Sequence, residues 1–219
     1  MTDAEDDLPG DPVCFANKII AGYAVDERTF SDVNRFRKAE RARLYNKRKL
    51  MDSATRKVST QALIRNLRSL LSYQEFDRIA VYWPIRGEPD LRPLMLDLCL
   101  ENKKVFLPVV IEKAHPLVFR HWHPGSRLVR GFWNIPIPAE GKSGCPDVII
   151  SPVVGIDAKC YRLGNGGGYY DRTLAAMPSV PLVIGVGFHF CEIANIFAMK
   201  WDVPMDYFVS ELEIRSRQG

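Results

Sequence analysis

No two cysteines stand in a C-x-x-C spacing, and the five present (Cys14, Cys99, Cys145, Cys160 and Cys191) are odd in number and scattered. A zinc ribbon and a disulfide framework are both excluded by that pattern, which fits free thiols in a reducing compartment. No apolar run approaches the length that spans a bilayer, and the first residues are acidic (Asp3, Glu5, Asp6, Asp7) where a secretory signal is basic. A soluble cytoplasmic protein, with no membrane contact, is expected. A large surplus of either charge is also missing. The 30 Lys and Arg against 26 Asp and Glu leave +4, compatible with an anionic ligand and far from a dedicated nucleic-acid binder.

Repeats, low-complexity tracts and internal linkers are absent as well, and 219 residues with 47% hydrophobic content suffice for one domain with a substantial core. Residues 1–30 carry Pro, Gly and acidic residues with little periodicity and read as a flexible or loosely docked extension. Residues 31–219 read as one domain. From Ser31, taken as an N-cap, to Met51 the chain has no Pro or Gly and spaces Val33, Phe36 and Leu44 among charges, which predicts an amphipathic helix. A second helix is predicted over 54–71 with Leu63, Leu67, Leu70 and Leu71 inward. Short apolar runs at 79–83, 105–110, 148–154 and 182–186 read as buried strands, with helical stretches at 91–101 and 169–177 between them and an antiparallel strand at 117–122. The expected architecture is a three-layer α/β domain, a mixed, mostly parallel sheet with helices on both faces.

The densest chemical signal is Arg162-Leu163-Gly164-Asn165-Gly166-Gly167-Gly168-Tyr169-Tyr170-Asp171-Arg172, between a predicted strand and a predicted helix. So many glycines are entropically unfavourable unless something requires them. They let backbone N–H groups approach a phosphate, and the following helix start favours negative charge. Arg162 and Arg172 can supply cations, and Asp171 can hold a magnesium ion that bridges phosphate oxygens. The run lacks the Lys-Ser/Thr ending of a Walker loop and the third glycine of the dinucleotide fingerprint. A tight glycine turn over two packed tyrosines is the alternative on spacing alone.

The run from 162 to 171 resembles the signature of the 5-formyltetrahydrofolate cyclo-ligase family, also called methenyltetrahydrofolate synthetase, and the resemblance extends in order from about Arg35 to Glu211. Arg37-Lys38-Ala39-Glu40-Arg41 resembles the family's basic motif, which implies that Arg37, Lys38 and Arg41 contact ATP phosphates, with Arg41 also near the folate. Helical spacing can present those charges to one anion, although a solvated charged face is the ordinary fate of such a run. The glycine loop from Arg162 through Tyr170 completes the implied ATP site. Tyr82-Trp83-Pro84-Ile85-Arg86-Gly87-Glu88 ends the first core strand, where open α/β sheets place ligands. By resemblance Trp83, Glu88, Trp133 and Tyr169 wall the folate pocket. Asp202, in Trp201-Asp202-Val203-Pro204, is implied to join Asp171 at magnesium. Arg41, Arg162, Tyr169 and Asp171 are the implied catalytic set. Cys160 stands where the family often has glycine, and Gly167 where some members carry lysine.

The resemblance implies conversion of 5-formyltetrahydrofolate and ATP to 5,10-methenyltetrahydrofolate, ADP and phosphate, with Mg2+ as cofactor. A monomer that binds no nucleic acid is expected. Two alternatives are a nucleotide-dependent enzyme of the same fold acting on another substrate, and a noncatalytic RNA-binding relative using the basic stretch 35–49. His121 and His123, two apart on a predicted strand, share a face and form a rival metal site without an evident third ligand.

Overall fold

The computed structural model describes residues 17–217. In order the chain forms β1 (Asn17–Ile20), β2 (Tyr23–Asp26), α1 (Glu27–Leu50), α2 (Ser53–Leu71), β3 (Arg78–Ala80), α3 (Arg92–Leu100), β4 (Lys104–Val109), β5 (Val118–Trp122), β6 (Leu128–Arg130), β7 (Pro136–Pro138), β8 (Val148–Pro152), β9 (Gly155–Ile156), β10 (Arg162–Leu163), α4 (Tyr169–Ala176), β11 (Leu182–Val186), β12 (Tyr207–Val209) and β13 (Ile214–Ser216).

Seven strands make one sheet in the order β13-β12-β11-β8-β3-β4-β5, parallel from β12 to β4 and antiparallel at both edges. Side-chain alternation along the strands fixes the layers. Ile79, Val105, Val148 and Ile184 point to the face covered by Leu63 and Leu67 of α2 and Leu94 and Met95 of α3. Ala80, Phe106 and Ile149, one residue on, point to the opposite face under Leu174 of α4. Both faces are therefore dry, which is why the parallel strands read as continuous apolar runs. The sheet and its helices on both faces match the expected architecture.

Connections set where a ligand can bind. From β3 the chain crosses to β4 on one side through α3, then returns past β3 to β8 on its other side. The crevice beyond the carboxyl ends of β3 and β8 is the switch point at which open α/β sheets hold ligands. Helix α1 lies over these carboxyl-end loops, with Leu44 packed among Val154, Leu163 and Ile196.

Several boundaries differ from expectation: the strands read over 79–83 and 148–154 end at Ala80 and Pro152, and the first helix starts earlier. Asp26, not Ser31, caps α1, its carboxylate accepting from Thr29 N at 2.7 Å, so Ser31 lies inside the helix. Of the extension read over 1–30, residues 17–26 pair as an antiparallel hairpin and 27–30 open α1, while residues 1–16 lie outside the described residues.

Candidate active site

A cavity of about 1140 Å³ opens at the switch point. That exceeds the usual volume for a single drug-sized ligand, about 300–1,000 Å³, and leaves room for two substrates side by side. One wall is α1. The positions Arg37, Arg41, Leu44 and Arg48 recur at helical spacing on its inward face, and three of the four are arginines.

Opposite them runs the glycine loop. Gly166 has φ 95° and Gly168 φ 63°, left-handed conformations that favour glycine, and Gly168 is the N-cap of α4. Arg41 donates from Nε to Gly164 O at 2.7 Å, and its guanidinium lies beside Gly166. Burial first, and then the charge of Arg37, pull Arg41 below its ordinary value. An anion placed between these cations favours the charged form of Arg41 and so opposes both effects. Tyr45 donates from its hydroxyl to Asn165 Oδ1, which holds the loop against α1. A Cβ at Gly167 would lie 2.7 Å from the Tyr169 ring, so a lysine there requires that ring to move.

At the loop's far end each aspartate is held by an arginine. Arg162 donates from Nη2 to Asp171 at 3.0 Å, and Arg37 donates from Nη2 to Asp202 at 2.5 Å. Val203 N donates to Asp171 at 3.2 Å, so the residue after Asp202 is tied to Asp171, and both aspartates line the one cavity. Magnesium takes one or two carboxylates together with waters and substrate phosphates. A carboxylate offers about four lone-pair sites, so accepting these hydrogen bonds leaves ligand capacity on each group. The donor set fits such an ion.

The other end of the cavity is built from the loop after β3. Glu88 is buried, accepts from Ile85 N at 3.0 Å, and lies 3.8 Å from Arg48 Nη1. Burial pushes its carboxyl up to about 7, against the backbone hydrogen bond from Ile85 and the charges of Arg48 and Arg86, which pull it down. Arg48 donates to Val153 O at 2.7 Å, while its Nε and Nη1 are buried without a hydrogen-bond partner. Trp83 lies half-buried in the same wall. Trp133 is 59% exposed and sits at φ 52°, with its ring 5.3 Å from that of Tyr169, edge to face. An exposed tryptophan in a strained backbone conformation, turned into a cavity, has no packing reason to be there.

The profile of the 5-formyltetrahydrofolate cyclo-ligase family matches residues 33–211. The chain belongs to that family. It is 34% identical over 144 residues to the 5-formyltetrahydrofolate cyclo-ligase of Escherichia coli K12, covering 62% of this chain and 79% of that one. Against the enzyme of that name from Haemophilus influenzae it is 28% identical over 152 residues, 66% of this chain and 81% of that one. The solved 5,10-methenyltetrahydrofolate synthetase of Aquifex aeolicus superposes with a TM-score of 0.71 at 32% identity, covering 84% of this chain and 94% of that one.

Against the cyclo-ligase pattern, Arg37, Arg41, Trp83, Glu88, Trp133, Arg162, Gly164, Asn165, Gly166, Gly167, Gly168, Tyr169, Tyr170, Asp171 and Asp202 all line this one cavity. Lys38 does not. It is exposed and stands about 100° round the helix from Arg37, so the cavity-facing pair is Arg37 and Arg41, four apart. Arg37 itself is largely committed to protein: besides Asp202 it donates to Ile196 O at 2.9 Å and Phe197 O at 2.8 Å. Cys160 holds the left-handed conformation (φ 61°) that a glycine would adopt more easily, and its side chain is buried among Val153, Met205 and Phe208.

Arg48 and Arg86 escaped the motif reading. Arg48 was detectable as the continuation of the 37, 41, 44 stripe. His121 and His123 sit 6.1 Å apart by ring centroid, and among the described residues the one group with three candidate metal ligands is His189, Glu192 and Glu213, none of which lines the cavity. Arg215 already pairs with both glutamates of that group.

Proposed function

We propose that this cyclo-ligase converts 5-formyltetrahydrofolate and ATP to 5,10-methenyltetrahydrofolate, ADP and phosphate. The observation that carries the reading is one cavity lined by a phosphate-type glycine loop with Arg41 and Arg162 beside it, by the buried carboxylate of Glu88, and by Trp83 and Trp133. The oxygen of a formyl group carried on N5 is a poor leaving group from the formyl carbon. Transfer of the γ-phosphoryl group to that oxygen breaks the bond to ADP and leaves a formyl carbon bearing phosphate. N10 then attacks that carbon, loses its proton, and expels phosphate to close the ring.

The chain's own residues position and neutralise; no nucleophile is required of the protein. Arg41 and Arg162, beside the loop, face the phosphates, and the backbone N–H groups of 164–168 line their path. Glu88 accepts from the N–H groups of the pterin, and Trp83, Trp133 and Tyr169 supply flat walls for its ring. Asp171 and Asp202 would hold magnesium, which would supply positive charge against the phosphates. Arg37 keeps Asp202 and the 196–202 segment in place. The inward direction of Arg37, Arg41 and Arg48 also weakens the RNA-binding alternative, because Arg37 and Arg41 line the cavity and Arg48 is buried against Val153 O, which takes all three from the solvated face. Action as a monomer in a reducing cytoplasm completes the reading; Cys99, Cys145, Cys160 and Cys191 are free, and no helix among the described residues is long and apolar enough to cross a membrane.

The test is to incubate the full chain with 5-formyltetrahydrofolate and Mg-ATP while following methenyl absorbance and ADP together. Equal amounts of both products are expected. ADP formed without methenyl product would remove the cyclo-ligase assignment.

A further inference from the structure

The hairpin β1–β2 lies ahead of residue 33, where the family match begins, yet its tip reaches the cavity. Ala21 (φ 50°) and Gly22 (φ 82°) form the tip, both left-handed as a tight two-residue hairpin turn requires. The adjacent Tyr23 lines the cavity with its ring centroid 6.4 Å from Trp201, and Phe30 stands 6.3 Å from Trp201 on another side. These three rings form a cluster at the cavity edge, and Tyr23 remains 42% exposed within it. Asn34, between Phe30 and Arg37 on the inward face of α1, adds an amide with both donor and acceptor.

Helix α1 orders these groups along a line. At 1.5 Å per residue, Phe30 lies about 10 Å from Arg37 and about 16 Å from Arg41, while Arg48, beside Glu88, lies about 10 Å beyond Arg41 on the other side. The middle of that line is the glycine loop, which contacts Arg41. A ligand whose phosphates sit on the loop, with its reacting end toward Glu88, must direct its remaining part toward Phe30, Tyr23 and Trp201. For a nucleoside triphosphate that part is the sugar and base. Flat heterocycles stack on aromatic side chains with little dependence on sequence or substituent, and an amide can read an edge of the ring.

We infer that Tyr23, Phe30 and Trp201 form the nucleobase wall of this enzyme, with the hairpin as an addition to the family domain that sets nucleotide affinity. The inference rests on the assignment of ATP to the glycine-loop end. It makes Tyr23 a binding residue for the base, with no part in folate recognition.

Equilibrium binding to the full chain tests it without turnover. Calorimetry would compare Mg-ATP with magnesium tripolyphosphate, a probe that keeps the phosphates and lacks the base, on the unsubstituted chain and on Tyr23→Ala and Tyr23→Phe. The expected result is a roughly tenfold weaker Kd for Mg-ATP in Tyr23→Ala, the size of one lost stacking contact. Tripolyphosphate affinity should be unchanged, and Tyr23→Phe should restore ATP binding. Because Tyr23 is partly exposed, its truncation leaves the core intact; Trp201→Leu gives a second variant that must show the same split between the probes.

Equal ATP binding in Tyr23→Ala and the unsubstituted chain would overturn the base wall while leaving the reaction assignment standing. Parallel loss of both probes would also overturn it. An unsubstituted chain that binds neither probe would instead overturn the assignment of ATP on which the inference rests.

Discussion

Arg37 and Asp202, 165 positions apart in the chain, meet through a 2.5 Å charge-assisted hydrogen bond with each side chain only about a tenth exposed. Arg37 also donates to two carbonyls of the same segment, so one helix residue fixes the loop that carries a proposed metal ligand. Arg41, one turn on, makes a single hydrogen bond to the glycine loop and faces the cavity. Two arginines of one motif thus have separable roles.

Their substitutions should differ accordingly. Arg37→Ala leaves the Asp202 carboxylate partly buried without its cation, and a loss of about 3–5 kcal/mol in unfolding free energy is expected. Arg41→Ala should change stability by less than about 1 kcal/mol while lowering kcat about a hundredfold, the usual effect of removing one donor to a developing charge. Urea denaturation with steady-state kinetics on both variants checks the contrast. An Arg41→Ala enzyme with full activity would remove this residue from the phosphates.

Glu88 makes both stability and folate use depend on pH. In the folded chain it keeps its proton up to about 7, against an ordinary value of 4.5. Between those values the native state holds more protons than the unfolded state, so this group's contribution lowers stability as pH rises, and the loss levels off above about 7. Glu88→Gln should remove that slope, seen as a smaller drop in unfolding free energy between pH 5 and pH 8 than in the unsubstituted chain. The folate KM should fall as pH rises through 7, because the carboxylate form accepts the pterin N–H groups, and should lose this dependence in Glu88→Gln. An identical pH profile in the two proteins would show that Glu88 does not touch the folate.

Asp171 is the cleaner probe of the metal site, since Asp202 also anchors Arg37. Val203 N and Arg162 Nη2 donate to different oxygens of Asp171, so an asparagine there keeps one of the two hydrogen bonds through its single carbonyl oxygen, and Asp171→Asn should keep its fold. Its half-saturating magnesium concentration should rise at least about tenfold. Unchanged magnesium dependence together with reduced turnover would assign Asp171 to holding Arg162 and not to a metal.

Much of this architecture is legible in the sequence because it follows from periodicity. The run Leu182–Val186 is a strand from end to end, and Leu63, Leu67, Leu70 and Leu71 are buried as their spacing requires. The glycine run was legible because its composition is unfavourable without a backbone reason, and Gly166 and Gly168 supply that reason. Helix α1 was harder. An amphipathic reading counts apolar positions, whereas its inward stripe is Arg37, Arg41, Leu44 and Arg48. Cations buried by distant carbonyls, aspartates and a glutamate look, in one dimension, like a solvated face. The N-terminal hairpin was illegible for a related reason: its four-residue strands are mostly exposed, and Tyr23 matters through Trp201, far along the chain.

The most direct measurement follows the formyl oxygen. With 5-formyltetrahydrofolate labelled by oxygen-18 in the formyl group, turnover with unlabelled Mg-ATP in unlabelled water should place one labelled oxygen in each inorganic phosphate released, because that oxygen accepts the phosphoryl group and departs with it. Phosphate without label, with the heavy oxygen recovered in water or retained on the folate, would contradict phosphoryl activation of the formyl group and with it the chemistry assigned to this cavity.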